Sequence, residues 1–360
     1  MTADRTPGVA ADAFRNDRQK RIFAAAVQDY IRTGEPVASG SLAERHFRDL
    51  SPASIRKVLH ELEELGLLAQ AHPSAGRTPT EEGLRVYADD VLEVKSLPAG
   101  VRSQIQLELS KAGFSAESMF TLCSRVLSNL TSHMGLVMAP GLGTLSLRKL
   151  YFVRLGPGQA LAVILTRNGI VQNRILATPE DFSQEELNEV NVFLEGVESP
   201  FTLEELRARI LKDMAECRSE FERIFRRAFL LASGASEAAP ASEGDLSERD
   251  IYMDGEGRAR LIDHPDFRDA EAMRALFKAF ENKRRLAELL NDVTGGNRVR
   301  VVIGPSGEGA DGLALVASPY RAGGGESGAL GVLGPRRLNY AEIVPVVDYA
   351  ARVLSGIFHK

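Results

Sequence analysis

The stretch SPASIRKVLHELEELGLLAQAHPSAGR, residues 51–77, decides the fold of the first part of the chain. Ser51 and Pro52 predict a helix start, because serine caps free N–H groups and proline fits the first helical position without losing a needed donor. An apolar stripe at helical spacing follows and indicates a face packed on a core: Ile55, Leu59, Leu62 and Leu65. After Gly66 a short apolar run leads to a Pro/Ser/Gly tip and then to Arg77. The stretch therefore predicts a helix followed by a two-stranded hairpin.

The face opposite the apolar stripe is divided by charge along the helix. Small and cationic residues lie in its N-terminal half, and carboxylates lie in its C-terminal half. This distribution suits a helix that enters a DNA groove by its N-terminal end, because it holds the carboxylates away from phosphate. The stretch therefore predicts a recognition helix with a wing. The alternative is a helix and hairpin that are packed for stability alone.

The residues expected to contact DNA have different roles. Arg56 is the best candidate for a direct base contact, because a guanidinium can bind a guanine edge at two points. Lys57 and His60 are secondary candidates for base reading. Phosphate contacts, which fix position but carry no sequence information, are expected from Ser51, Ser54, Ser74 and Arg77. Ala53 and His72 complete the expected DNA face.

Further helices are expected on both sides of this stretch. Apolar spacing predicts an amphipathic helix from Asn16 to Arg32. Ser39 or Ser41 is expected to cap a second, short helix, which gives the order of a helix–turn–helix motif. A helix over residues 80–97 is expected to lead out of this domain.

The clearest β signal is a series of short apolar segments separated by glycine-containing turns. The segments Leu150–Leu155, Leu161–Leu165 and Ile170–Leu176 predict an antiparallel meander. Further strands and a final helix are expected near the C-terminus, at residues 299–303, 313–318, 328–333 and 340–358. Because the strands fall in two distant segments, they suggest one α+β domain interrupted by an insertion.

The expected insertion carries a long helical pattern over residues 203–231. Its apolar residues recur near heptad spacing and include Leu206 and Ile210. Such a stripe is typical of either a plain core or a dimer seam, and the need for a dimer at a two-fold DNA site favours the seam. A hairpin is expected at Ile251–Ile262 around its two glycines.

Four segments of the chain together resemble one known family. They are YIRTGEPVASGSLAERH at 30–46, SPASIRKVLHELEELGLL at 51–68, AHPSAGRTPTEEG at 71–83 and SPYRAGGGESGALGVLGPRRLNYAEIVPVVDYAARVLS at 318–355. In this order they resemble HrcA, the bacterial heat-inducible transcription repressor family. The chain departs from the usual family pattern at Arg56-Lys57-Val58, where Arg-Asn-Asp or Arg-Asn-Glu is common, and at His72-Pro73-Ser74, where His-Thr-Ser is common.

The resemblance implies a division of the chain and a set of partners. The expected divisions are a disordered N-terminus at 1–13, a winged helix-turn-helix domain at 14–97, a GAF-like domain at 98–177 and 265–360, and an inserted dimerisation domain at 178–264. It also implies a homodimer that represses chaperone operons by binding the inverted repeat called CIRCE. The chaperonin GroEL is implied as the partner that keeps the repressor active.

Composition limits the function further. The net charge is −5, and residues 1–95 carry 13 Lys and Arg residues against 15 Asp and Glu residues. These values argue against general polyanion binding, so DNA binding must depend on local placement of cations and on specific contacts. Cys123 and Cys217 are too few for a disulfide framework or a zinc site. No apolar run approaches the thickness of a bilayer, so we expect no membrane association and a cytoplasmic protein.

Other chemistry has little support in the sequence. The glycine-rich segments 304–309 and 321–325 lack the order of a P-loop, so they are expected to be turns. The six histidines have no paired ligand spacing, and no catalytic constellation is evident. We therefore expect no metal, no cofactor and no enzyme. The competing hypotheses are a winged-helix regulator that senses a small metabolite through its GAF-like domain, and a winged helix that binds another protein.

Overall fold

The N-terminal part of the chain folds as three helices and a hairpin. The computed structural model of the protein describes residues 14–70, 72, 75–113, 115–140, 147–167, 171–178, 180–197, 201–216, 227–228, 230–231, 251–267, 283–304, 312–322 and 326–358. The first elements are α1 (Asp17–Thr33), α2 (Ser39–Arg45), α3 (Pro52–Glu64), β1 (Leu68–Gln70), β2 (Arg77–Pro79) and α4 (Glu81–Val86). The predicted helix and hairpin at 51–77 are confirmed.

Local sequence signals account for these boundaries. The Asn16 side chain caps α1 by accepting a hydrogen bond from the N–H of Gln19, and Ser51 caps α3 by accepting one from the N–H of Ser54. Gly66 follows α3 with φ +72°, a left-handed conformation that favours glycine. Three residues of the predicted apolar stripe, Ile55, Leu59 and Leu62, are buried against α1 and α2 in a core that includes Phe23 and Leu42. The predicted burial of Leu65 is wrong, because this residue lies just past the end of α3 and is 44% exposed.

The helix expected over residues 80–97 is shorter than predicted. After α4 the chain makes a π-helical turn at Tyr87–Val91, and residues 92–98 have no helix or strand. Tyr87 and Val91 are buried, whereas most of residues 92–98 are exposed. The apolar spacing that suggested a continuous helix is therefore satisfied by α4 and a five-residue π-helical segment, which an irregular connection follows.

The remaining described elements alternate between helices and antiparallel strands. They are α5 (Ala99–Ser110), α6 (Ala116–Thr131), β3 (Met134–Met138), β4 (Leu147–Gly156), β5 (Gln159–Thr166), β6 (Val171–Ala177), α7 (Gln184–Glu195), α8 (Leu203–Glu216), β7 (Ile251–Met253), α9 (Gly255–Ile262), α10 (Lys283–Thr294), β8 (Arg300–Ile303), β9 (Leu313–Ala322), β10 (Glu326–Pro335) and α11 (Tyr340–Phe358). The chain is thus of mixed α and β structure with antiparallel sheets.

A five-stranded sheet organises the C-terminal part of the chain. Its strand order is β7-β3-β10-β9-β8, and every neighbouring pair is antiparallel. Helices α6 and α11 pack on one face of the sheet, and α9 and α10 pack on the other. The strands β3, β9 and β10 therefore have almost entirely buried side chains.

The predicted meander forms, but it is a separate three-stranded sheet, β4-β5-β6. Its inner face carries Phe152, Ala162 and Ile164, which are buried, and α7 packs against the β4 side of this sheet. Strand β7 pairs with β3, with Val137 opposite Tyr252. The five-stranded sheet is therefore interrupted between β3 and β7, and the domain boundaries expected at 178 and 264 stay a prediction.

Two local differences from the sequence expectations lie at the ends of this interruption. The apolar run Met134–Met138, which has no strand signal in the sequence, forms β3 and pairs with both β7 and β10. The hairpin expected at Ile251–Ile262 is wrong after Met253, because α9 begins at Gly255 and Asp254 caps it by accepting from the N–H of Gly257 at 2.7 Å. Gly257 is required by packing, since a Cβ there would lie 2.2 Å from the Ser128 hydroxyl.

Other predictions fall partly or wholly outside the described residues. Leu206 and Ile210 are buried within the single chain, so these two residues of the 203–231 pattern belong to the core rather than to an exposed seam. Cys217, the N-terminus 1–13 and most of the 304–309 segment lie outside the described residues. Among the described residues, no helix combines the length and apolar character that crossing a bilayer would need.

Candidate nucleic-acid interface

The N-terminal half of α3 presents an exposed row of small and cationic side chains. Ser51, Ala53, Arg56 and Lys57 are exposed, and Ser54 is half-buried. The Ser51 and Ser54 hydroxyl oxygens are 3.0 Å apart. Within the described part of the chain, Arg56 and Lys57 make no hydrogen bond or ion pair. Both cationic groups are therefore available to an external anion.

The C-terminal half of α3 differs, because its carboxylates are engaged by other groups of the domain. Glu61 accepts a hydrogen bond from the Gln19 amide at 3.3 Å, and Glu63 accepts one from Arg77 at 3.0 Å. His60 lies at the boundary between the two halves, 3.6 Å from Glu63 and 3.8 Å from Glu64. The division by charge predicted along this helix is thus present in three dimensions.

Arg77 lies apart from this exposed row. Its Nε–H donates to Glu63, and only 12% of its side chain is exposed. Its backbone N–H donates to the Val37 carbonyl at 2.9 Å, and the Val37 N–H donates to the Arg77 carbonyl at 2.8 Å. The guanidinium therefore joins the hairpin to α3, and the structure does not bring it to the surface formed by Arg56 and Lys57.

The tip of the hairpin is described only in part. His72 is exposed, and its carbonyl accepts from the Ala75 N–H at 2.8 Å. Ser74 lies outside the described residues. Gly76 lies against the chain before α2, since a Cβ there would be 2.7 Å from the Pro36 carbonyl. The returning strand is thus fixed at its base, next to α2.

Sequence reasoning missed a buried charge cluster that joins α1 to α2. Asp29 is 6% exposed and pairs with Arg32 at 3.0 Å, with His46 at 3.2 Å and with Arg45 at 3.3 Å. Burial raises the pKa of Asp29, but the hydrogen bonds from Arg32 and His46 outweigh it and the pKa lies below its ordinary value. The signal in the sequence was an acidic residue three positions after the buried Ala26, on the apolar side of the helix.

The described residues bring together no other candidate for chemistry. No group of three His, Cys, Asp or Glu side chains among them is arranged to hold a metal ion. Cys123 is buried in α6, and this burial raises the pKa of its thiol to about 12. A thiol that stays protonated at neutral pH is a poor nucleophile and a poor ligand.

Comparison with known proteins places the chain in a family. The family model described as HrcA protein C terminal domain matches residues 117–344, which is more than half of the chain. The chain belongs to the HrcA family. The resemblance inferred from the four sequence segments is therefore confirmed, and the segment at residues 318–355 lies largely within the matched region.

Several HrcA relatives match almost the whole chain. The heat-inducible transcription repressor HrcA of Geobacter sulfurreducens is 34% identical over 344 residues, which cover 95% of this chain and 98% of that protein. The HrcA of Afipia carboxidovorans is 37% identical over 361 residues, covering 99% of this chain and 97% of that protein. That of Brucella suis is 38% identical over 348 residues, covering 95% and 96%. The protein is therefore a transcription repressor of the heat-shock response.

One solved structure shares the fold. The crystal structure of a hypothetical protein at 2.2 Å resolution matches with a TM-score of 0.59 and 22% sequence identity, and the match covers 95% of this chain and 98% of that one. At this identity the likeness speaks for the fold alone. The mixed α and β architecture with antiparallel sheets is thus shared along nearly the full length.

Proposed function

We propose that residues 14–97 form a winged helix-turn-helix domain that binds one arm of an inverted repeat, the CIRCE element implied by the HrcA family. One observation carries this proposal: Arg56 and Lys57 in the N-terminal half of α3 are exposed and have no hydrogen-bond or ion-pair partner in the described chain, whereas Glu61 and Glu63 in its other half are engaged. Phosphate and base edges are the natural partners of such a surface. Binding there would occupy a promoter and exclude polymerase.

The proposed roles of the site residues follow from their positions. Arg56 is proposed to read a guanine edge, with Lys57 and His60 contributing secondary base contacts and Ala53 lying against the groove. Ser51, Ser54, Ser74 and His72 are proposed to face the DNA backbone. Because its guanidinium is held by Glu63, we propose that Arg77 positions the wing rather than binding phosphate itself.

An exposed apolar sheet face supports a homodimer. Val153, Leu161 and Ile175 are opposite one another across β4, β5 and β6, so their side chains lie on one face of the three-stranded sheet. Val153 is 42% exposed, Ile175 is 64% exposed and the neighbouring Leu155 is 50% exposed. A contiguous apolar surface of this kind is typical of subunit contacts. We propose that the interruption between β3 and β7 is the dimerisation domain, and that the five-stranded sheet with its helices is the GAF-like domain.

The operator is tested by selecting bound DNA from a random pool with the full-length protein. We expect enrichment of an inverted repeat with a fixed distance between its two arms, because a two-fold dimer presents two copies of α3. Enrichment of a single unrepeated motif would argue against the dimer at the operator. A pool without any enriched sequence would instead favour a winged helix that binds protein.

The HrcA family also implies that the chaperonin GroEL keeps the repressor active, and we adopt this as part of the proposal. The exposed apolar face of the three-stranded sheet is a suitable surface for a chaperonin. Titration with operator DNA measures the fraction of protein competent to bind. This fraction should rise when chaperonin and ATP are added, and chaperonin without ATP is the control. An unchanged fraction at every temperature would contradict chaperonin dependence. We place this activity in the cytoplasm, together with the DNA, and we assign no catalytic step to the protein.

A further inference from the structure

Residues 92–98 connect the N-terminal helices to the rest of the chain, and we call this segment the joint. It has no helix or strand and is mostly exposed. Such a connection does not by itself fix the angle between the units on its two sides. The relative orientation of the two units must therefore come from contacts between residues that are distant in sequence.

One such contact is made by Arg337, which follows the central strand β10. Its guanidinium packs over Gly34 at the end of α1, where a Cβ would lie 3.3 Å from the Arg337 Cζ. The N–H of Gly34 donates to the Tyr30 carbonyl at 2.8 Å and closes the last turn of the helix. The C-terminal end of a helix carries a partial negative charge, so a cation at this place is favourable.

Arg337 is itself held in place from the sheet side. Its Nε–H lies 2.8 and 2.6 Å from the two carboxylate oxygens of Asp266. Asp266 belongs to a short 3-10 turn at Pro265–Phe267, and its backbone N–H donates to His264 at 3.2 Å. Phe267, in the same turn, is 1% exposed and packs in the core beneath the sheet. The guanidinium is thus fixed between a rigid turn and α1, with 20% of its side chain exposed.

A second contact lies at the edge strand β8. Arg85 in α4 donates from Nη2 to the Ile303 carbonyl at 3.0 Å. Glu81 packs against Gly304, where a Cβ would lie 2.7 Å from its carboxylate. Two attachments on different strands, one central and one at the edge, restrict rotation about the 92–98 joint more strongly than either attachment alone.

Contacts in the N-terminal core couple the orientation of α1 to that of α3. The side chains of Phe23 and Ile55 are buried in the same cluster, and the Gln19 amide of α1 donates to Glu61 of α3 at 3.3 Å. A change in the angle of α1 therefore moves the proposed recognition helix with it.

We propose that Arg337 is a positioning residue for operator binding: held by Asp266, it anchors the end of α1 and fixes the angle at which each subunit presents α3. The proposal rests on the proposed function, because this angle matters only when two copies of α3 must match two half-sites at one spacing. Loss of the anchor lowers the fraction of dimers whose helices match the operator, and this lowers the apparent affinity by the same factor.

The test compares full-length variants on duplexes whose two half-sites are separated by different numbers of base pairs, and on a duplex with a single half-site. We expect wild type to show a sharp optimum of affinity at one spacing. Arg337→Ala should lose about tenfold at that optimum and give a flatter profile, while its half-site affinity stays within about twofold of wild type. Asp266→Asn should behave in the same way, and Arg337→Lys should be intermediate, because lysine keeps the charge but not the planar group over Gly34.

The matched control is Arg352→Ala, which removes an arginine paired with Asp348 on the exposed side of α11. It should keep the wild-type profile. A sharp optimum retained in Arg337→Ala, or an equal loss at every spacing and at the half-site, would overturn the proposal. Thermal unfolding of each variant verifies that the comparison is made on folded protein.

A measurement without DNA tests the Arg337 anchor independently of the proposed operator. Lys95 is exposed in the joint, so trypsin cleavage there reports how freely the two units separate. Arg337→Ala should be cleaved faster than wild type, and equal rates would count against the anchor. If wild type shows no preference for spacing but the variant is cleaved faster, then the proposed operator fails and the anchor stands.

Discussion

At the scale of the residue, Arg56 is the side chain that we propose contributes most to sequence specificity. It is exposed, has no partner in the described chain and lies in the first half of α3. We expect Arg56→Ala to weaken operator binding by about 1–3 kcal/mol and to relax the base preference at one position. Lys57→Ala, at a secondary base-reading position, should weaken operator binding and relax the base preference less than Arg56→Ala does, and it should reduce the dependence on salt. Gel-shift titration on the selected operator and on single-base variants measures both effects.

The control for Arg56 is Arg125→Ala, which removes an exposed arginine from α6. It changes the net charge by the same amount and should leave operator affinity unchanged. Equal affinities of Arg56→Ala and wild type, with the dimer intact, would remove Arg56 from the interface.

His133 gives a pH dependence that the sequence did not indicate. Burial lowers the pKa of His133 to about 4, and the nearby His264 adds to this effect. The folded state therefore binds a proton more weakly than the unfolded state, so the stabilisation is present above pH 6.5 and is lost as the pH falls towards 4. We expect the free energy of unfolding to decrease by about 3 kcal/mol over this window, since one pKa unit corresponds to about 1.4 kcal/mol. Denaturant unfolding at a series of pH values measures the change.

Replacement of the imidazole isolates this contribution. His133→Gln should reduce the slope between pH 6.5 and 4, whereas His72→Gln, at an exposed histidine, should leave it unchanged. A slope unaffected by His133→Gln would assign the acid sensitivity to other groups.

At the scale of the element, the orientation of α2 on α1 depends on Asp29. Its carboxylate accepts from Arg32 in α1 and contacts Arg45 and His46 at the end of α2. Asp29→Asn should destabilise the protein by about 2 kcal/mol, because the buried carboxylate loses its charge-assisted hydrogen bonds with Arg32, Arg45 and His46. The matched change Asp348→Asn removes an exposed carboxylate paired with Arg352 and should cost less than about 0.5 kcal/mol. Similar melting temperatures for the two variants would show that the Asp29 cluster is not a structural link.

The pH window distinguishes the effect at Asp29 from the effect at His133. The folded-state pKa of Asp29 is lowered, so its contribution is present above the ordinary pKa of 3.8 and is lost only as the pH falls below that value. The two acid-sensitive windows are therefore separate, one between 6.5 and 4 and one at lower pH. Acid unfolding of the two variants should differ in these windows.

Elements defined by neighbouring residues were predictable from the sequence. Ser51 and Pro52 predicted the start of α3, and glycine-containing turns predicted the meander, because caps and turns depend on a few consecutive residues. The pairing of Arg77 with Glu63 was not predictable, since it joins a helix to a strand fourteen positions later through side chains alone. One expected phosphate contact is therefore reinterpreted as a positioning residue.

At the scale of the whole molecule, the partners of β3 decide how the chain is divided. All five residues of Met134–Met138 are buried, so the strand lacks the alternation that identifies a strand in sequence. Both strands that pair with it, β7 and β10, lie more than a hundred residues further along the chain. Local patterns carry no information on such distant pairing, so the sequence did not predict that the five-stranded sheet is interrupted between β3 and β7. The contact between Arg337 and Gly34 could not be predicted from the sequence for the same reason.

The division of the molecule leads to a prediction about assembly. If the outer face of the three-stranded sheet joins two subunits, charges there should separate them, because buried unpaired carboxylates are strongly unfavourable. The double variant Val153→Asp with Ile175→Asp should be a monomer in analytical ultracentrifugation at concentrations where wild type is a dimer. It should also lose about a hundredfold or more in affinity for the full inverted repeat while it retains half-site affinity, since the second half-site is then no longer bound in the same complex.

Leu107→Asp provides the matched control for this assembly, because Leu107 is 61% exposed and belongs to α5 rather than to the three-stranded sheet. It should stay dimeric with full operator affinity. A double variant that remains a dimer would place the subunit contact elsewhere, whereas a monomer with unchanged affinity for the full operator would show that the two α3 helices bind independently. If the double variant loses both the dimer and the high operator affinity, the result supports the proposed repressor. In that repressor the sheet face sets the distance between the two DNA-binding domains.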